Sequence, residues 1–205
     1  MKESDSETLR GRQKSETRKQ IQSAAKALII ELGYEKTTMR ALAKSAGVGL
    51  GTISLHFKDK KSLLLASFFE EIGSVAQKAL NSVPRDEHVR EQLLYILREV
   101  YGYYAMHTDF LRTVIKEALF IRGEWGAVFD RQIGGYICLM GEMIEAGKER
   151  GEVKPDINGE HVAAICWGLY LNGLLEGFKQ DRFDPDAQVA RIEPLWEIVL
   201  GGVLV

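Results

Sequence analysis

Residues 37–62, TTMRALAKSAGVGLGTISLHFKDKKS, carry cationic and hydroxyl side chains on what read as two short helices joined by a glycine turn. Arg40 and Lys44 lie one helical turn apart on the first, Met39 to Ser45, where they can meet phosphate oxygens or a base edge. Thr38 precedes that helix, and its hydroxyl can accept from a free amide of the first turn. Gly47 supplies the positive φ that a tight helix–helix turn needs. The second helix spans Leu50 to Phe57. Leu42, Ala43, Val48, Ile53 and Phe57 are expected to hold the pair together, and small Ala43 and Ala46 let the helices approach closely. The other side of the second helix, with Leu50, Gly51, Ser54 and Leu55, then faces outward. In a helix-turn-helix that side enters the major groove of DNA.

No second chemistry competes with this one. Cys138, Cys166, His88, His107 and His161 are the side chains that could act as nucleophile, base or ligand. None stands in a nucleophile–base motif or at metal-ligand spacing. No glycine-rich phosphate loop follows a strand, because no strand pattern is evident. No catalytic residue, metal or cofactor is therefore expected. Both cysteines sit in apolar helical runs and read as reduced core thiols, which points to a reducing cytoplasm. The polar N-terminal stretch has no signal-peptide core, and no apolar run reaches membrane-spanning length.

Formal charge is −2 overall but uneven along the chain. From Arg10 to Lys61 there are 12 Lys and Arg against 4 Asp and Glu; from Ser62 onward there are 14 against 22. A basic module suited to a polyanion thus precedes an acidic body. Residues 1–12 read as a disordered polar tail, with Arg10, Arg12 and Lys14 available to neighbouring phosphates. Residues 13–60 read as the DNA-binding domain and 61–205 as a helical body.

The apolar periodicity predicts an all-α chain of about nine helices. The first runs from Lys14 to Leu32 and is closed by Gly33. Asp59 caps a fourth helix, apolar on more than one side, that reaches Leu80. Further helices are expected at 86–107, 109–121, 125–150, 158–178 and 185–200. Gly134, Gly135 and Gly141 predict a kink or a close helix contact in the seventh helix, and Gly168, Gly173 and Gly177 are positions in the eighth where another backbone could come close.

Residues 18–64 resemble the DNA-binding domain of the TetR family of bacterial transcriptional regulators. The resemblance rests on order and spacing: Ile21, Ala24–Ala25, Gly33–Tyr34, Thr37–Thr38, Arg40, Leu42–Ala43, Ala46–Gly47–Val48, Gly51–Thr52–Ile53, His56–Phe57, Lys60 and Leu63–Leu64. It implies that Thr52, His56 and Lys60 contact backbone phosphate on operator DNA. The sequence departs from the family at Gly49, Leu50, Ser54 and Leu55, where a Ser cap, a basic residue and an aromatic phosphate anchor are usual. Fewer hydrogen bonds in the groove are expected, with Leu50 reading thymine methyls.

The same resemblance implies a ligand pocket within helices four to eight and a dimer interface on the last two. Pocket candidates are the aromatics and methionines Tyr103, Met106, Phe110, Trp125, Phe129 and Met140, together with His107, Trp167 and Asn172, which suit a small hydrophobic or aromatic ligand. Trp167, Tyr170, Leu171, Leu174 and Leu175, with Ile192, Leu195, Trp196 and Val199, could meet their copies across a two-fold axis. The implied function is a homodimeric repressor released from its operator by a ligand. The alternative is an activator, or a partner-regulated DNA-binding protein of the same fold without a small-molecule effector.

Overall fold

The computed structural model describes residues 2–203, with side chains from Arg10 onward. Nine α-helices and no strand form among the described residues: α1 Lys2–Leu32, α2 Met39–Ser45, α3 Leu50–His56, α4 Lys60–Ser82, α5 Val89–Met106, α6 Thr108–Ala118, α7 Gly123–Glu149, α8 Gly159–Gly177 and α9 Pro185–Gly201. No helix is long and apolar enough to cross a membrane among those residues. The all-α class is as expected.

Polar side chains set several of the helix starts. Thr38 Oγ1 accepts from the Ala41 amide at 3.2 Å ahead of α2, and Asp59 Oδ1 accepts from Ser62 at 2.6 Å ahead of α4. The Ser62 amide bond is the main reason the Asp59 carboxyl titrates below its usual value. Asn158 and Asp184 do the same for α8 and α9, and Pro185 occupies the first helical position of α9, where its missing N–H costs nothing. Such caps are each worth about 1 kcal/mol.

The start of α1 differs from expectation. The helix begins at Lys2, not near Lys14, so the segment read as a disordered tail is helical. It holds no proline, and Glu, Lys, Arg and Gln are good helix formers. It lacks only an apolar stripe, and residues 10–16 are all exposed. Periodicity reads an apolar face, so it passes over a helical stretch whose sequence has none.

The chain divides into two compact units. One comprises the residues up to Glu70 with Asp109–Ile121; the other comprises Glu71–Thr108 with the chain from Arg122 on. In the first, α1 packs on α2 and α2 on α3. Ile21, Ala25, Ile29, Leu42, Ala43, Ala46, Ile53 and Phe57 are all buried there. Lys61 of α4 also pairs with Glu117 of α6 at 2.6 Å.

In the second unit α8 packs on α7 and α9, and both α7 and α9 touch α5. Two glycines set the spacing. A Cβ on Gly173 of α8 would stand 2.2 Å from the Tyr101 hydroxyl and 2.8 Å from Ile192; one on Gly147 of α7 would stand 2.3 Å from Val89. Gly168, also expected at a close approach, has nothing within 4 Å. Arg90 of α5 ties the ends of α5 and α9 together through Glu193 at 2.8 Å and through Glu197, with Glu91 alongside. The three carboxylates hold its guanidinium firmly protonated.

Two alanine substitutions test this packing. Gly173→Ala should lower unfolding stability by about 1–3 kcal/mol through overpacking against Tyr101. Gly168→Ala, in open space on the same helix, should leave stability unchanged or raise it by up to about 1 kcal/mol. Urea denaturation at fixed protomer concentration reads both.

Candidate functional site

In the helix-turn-helix, Gly47 sits at φ 65°, where an L side chain would be strained. Its amide donates to the Lys44 carbonyl at 3.2 Å, and the Val48 amide donates to Ala43 at 3.0 Å, closing the end of α2. Gly49 then leads into α3 without a side-chain cap, as its identity requires. Inside α3, Ile53 has no exposed surface, and Phe57 just beyond it is 2% exposed. These two positions fix the roll of the helix. Leu50, Gly51, Ser54 and Leu55 are consequently exposed, Leu55 by 83%. Arg40 and Lys44 are exposed on α2, and Thr52 and His56 are half-buried.

Lys60 makes an internal contact beside its expected role. Its ammonium donates to the Tyr34 carbonyl at 2.6 Å and lies 4.0 Å above the Tyr34 ring. It fastens the turn after α1, and the side chain is half-buried with further N–H groups on its ammonium. A residue the sequence reading passed over, Arg18 of α1, braces the far end of α3. It donates to the His56 carbonyl at 3.2 Å, and its guanidinium sits 4.4 Å over the Phe57 ring. The carbonyls at a helix C-terminus attract a cation, so the sequence signal was a basic residue in α1 facing a histidine-ended helix. Partial burial and then the charges of Arg18 and Lys14 lower the His56 pKa below its ordinary 6.5. The free protein therefore presents a neutral imidazole at neutral pH. Lys14 and Arg18 also place the basic surface of α1 beside the end of α3.

Residues 21–67 match the family model of the bacterial regulatory proteins, tetR family. The chain is 25% identical to the fatty acid metabolism regulator protein of Bacillus subtilis, over 73% of this chain and 77% of that one. It is 27% identical to the HTH-type transcriptional repressor BepR of Brucella suis, over 80% and 83%. The chain belongs to the TetR family of transcriptional regulators. Among solved structures, the Bacillus subtilis FadR in complex with stearoyl-CoA superposes with a TM-score of 0.71 at 23% identity, covering 89% of this chain and 97% of that one. As a TetR-family member the protein is a DNA-binding transcriptional regulator, and its helix-turn-helix is the element that meets DNA.

The other expected residues separate by exposure. Of the pocket candidates, Tyr103 and Phe110 are buried, and Phe110 belongs to the first unit. Met106 is 67% exposed and Asn172 is also exposed, so neither is enclosed by its own protomer. His107, Trp125, Phe129, Met140 and Trp167 are half-buried. A tyrosine network joins α5 and α8, and the Trp167 ring packs on Tyr170 within it. The Tyr104 and Tyr170 hydroxyls share a 2.7 Å hydrogen bond, Tyr101 donates to the Tyr170 carbonyl at 2.7 Å, and Tyr103 donates to Glu71 at 2.9 Å. Burial raises the pKa of all four phenols above the normal value, so they remain donors.

That network also corrects the expected dimer face. Tyr170 spends its hydroxyl, carbonyl and ring on Tyr101 and Tyr104 of its own chain. Leu174, Ile192 and Trp196 are buried within the protomer, because α8 and α9 turn those sides toward their neighbours. Leu175 and Leu195 are exposed, and Trp167, Leu171 and Val199 are half-buried. Two exposed residues were missed, Ile165 at 50% and Ile198 at 76%. The helical period is equally compatible with either face when both are apolar.

Two measurements follow on DNA. Lys44→Ala should reduce the slope of log affinity against log salt by about 0.9 if Lys44 neutralises one phosphate. Contact between His56 and phosphate favours the imidazolium, so binding takes up a proton and affinity should strengthen as pH falls from about 7.5 toward 5.5. His56→Asn should flatten that dependence. The depressed His56 pKa works the other way on folding: it favours the fold above the unfolded-state value and loses that contribution as pH drops. Fluorescence anisotropy on protein shown to be folded at each pH reads both effects.

Proposed function

We propose that this regulator is a cytoplasmic homodimeric repressor released from its operator by a small hydrophobic ligand. The observation that carries the DNA half is the roll of α3, with Ile53 and Phe57 buried and Leu50, Gly51, Ser54 and Leu55 presented together. Arg40, Lys44, Thr52 and His56 flank that face as phosphate contacts, and Lys14 adds charge from α1. Lys60 acts from behind by holding the turn at Tyr34.

The dimer reading is supported by exposed apolar residues on the two C-terminal helices. Ile165, Leu175, Leu195 and Ile198 would be buried against the same residues of a second copy, with Trp167, Leu171 and Val199 at their edges. Such a dimer must set two α3 helices one turn of DNA apart, about 34–36 Å, or a multiple of it.

The ligand reading is supported by the half-buried aromatic and methionine side chains of α7 and α8, which are incompletely packed in a single chain. The relative solved with stearoyl-CoA makes a long-chain acyl-CoA the first ligand to try. The repressor name of BepR supports repression over activation. Release then works by differential affinity: a ligand that favours a form unable to place both α3 helices withdraws the protein from DNA, and DNA weakens the ligand by the same factor. One observation favours the alternative of a partner-regulated protein: α3 contains no Lys or Arg.

The test is anisotropy on the DNA upstream of the protein's own gene, with and without stearoyl-CoA, together with light scattering at low micromolar concentration. We expect a dimer, salt-sensitive binding, and loss of binding on adding ligand. A monomer that retains its DNA at saturating ligand contradicts the proposal.

A further inference from the structure

A cavity of about 420 Å³ opens in the second unit, apart from the aromatic residues considered above. Its wall comes from the end of α4, the loop after it, α5 and the last turns of α7. Leu80 and Met143 make an apolar floor; both are buried and belong to one core cluster with Val83. Arg85 and Arg150 also line it, against one carboxylate, Glu142.

The two arginines are differently placed. Arg150 is partly spent, because its Nε donates to Glu152 at 2.6 Å and holds that carboxyl down at about 2. Arg85 has no carboxylate within ion-pair distance among the described residues. One of its amino groups donates to the Leu80 carbonyl at 3.1 Å, which leaves other guanidinium N–H groups for a ligand. Its backbone is held in place. Gln92, 2% exposed, donates from Nε2 to the carbonyls of Arg85 at 3.1 Å and Glu87 at 2.7 Å, pinning the loop that carries the arginine. A guanidinium on a pinned loop, with unused donors in a cavity that has an apolar side, suits a planar anion attached to an apolar body.

We propose that this cavity binds an organic carboxylate, with its apolar part on Leu80 and Met143 and its carboxylate on Arg85, seconded by Arg150. Glu142 opposes the anion and sets the affinity from the other side. The inference goes beyond the repressor reading and is read on the free chain, so either can fail alone. A chain that binds the carboxylate but no DNA sinks only the repressor reading.

Calorimetry on the full-length protein with three matched probes tests it: 4-phenylbutyrate, 4-phenylbutylamine and 4-phenylbutanol. The carboxylate should bind and the amine and alcohol should bind at least about tenfold more weakly, the ratio expected for one lost charge-assisted contact. Arg85→Gln should weaken the carboxylate by about tenfold or more while leaving the amine unaffected or tighter. Because Arg85 also bonds the end of α4, two variants that keep it provide independent readings. Glu142→Gln should tighten carboxylate binding, and Ala146→Phe, which fills the cavity, should abolish it with the charges intact. Equal binding of the three probes, no binding of any, or indifference of the carboxylate to Glu142→Gln and Ala146→Phe would overturn the proposal.

Discussion

The constraint on which the DNA-facing half depends is that α3 has only one way to lie. It is seven residues long, too short to be stable alone, so tertiary burial decides its orientation. Ile53 and Phe57 supply that burial, each worth about 1.5–3 kcal/mol when removed from water. Arg18 closes the other end on the His56 carbonyl and the Phe57 ring. Had the helix rolled by about half a turn, Leu55 would be inside and Ile53 in water. The exposure of Leu50 and Leu55 is thus a consequence of how the helix is held.

The second unit is organised by a different constraint. Close approach at Gly147 and Gly173 brings α7 and α8 against the side chains of α5, and Tyr101 fills the space a Cβ at Gly173 would need. The same tyrosine bonds the Tyr170 carbonyl, so one residue fixes both the distance and the register of α5 and α8. Polar groups buried in this way are costly unless paired, and the phenols meet that demand in one another and in Glu71. With those sides of α8 and α9 committed inward, Ile165, Leu175, Leu195 and Ile198 remain exposed on the protomer.

Much of this was legible in the sequence because it is local. Thr38, Gly47 and Asp59 act through bonds to neighbours three or four residues away, and each did what its type dictates. The inward face of α3 followed from helical spacing. What the sequence withheld depends on distant partners. Lys60 was expected on phosphate, and its bond to the Tyr34 carbonyl, 26 residues away in the chain, could not be read from spacing. Trp196 and Ile192 fell in an α9 apolar on more than one side, where periodicity cannot choose which side a partner covers. The early start of α1 was hidden for the converse reason, since a helical stretch without an apolar face in its sequence leaves no periodic signature. The carboxylate cavity was likewise invisible, because Arg85, Gln92, Met143 and Arg150 come from separated segments.

The central claim is that α3, though lacking basic side chains, reads operator sequence as one of a symmetric pair. Selection of bound sequences from random duplex DNA by the purified wild-type protein tests it most directly. The expected product is an inverted repeat with half-site centres one or more whole helical turns apart, about 10–10.5 base pairs each, with thymines at positions reached by the leucines. Enrichment of a single, non-repeated site, or of no sequence at all, would contradict it.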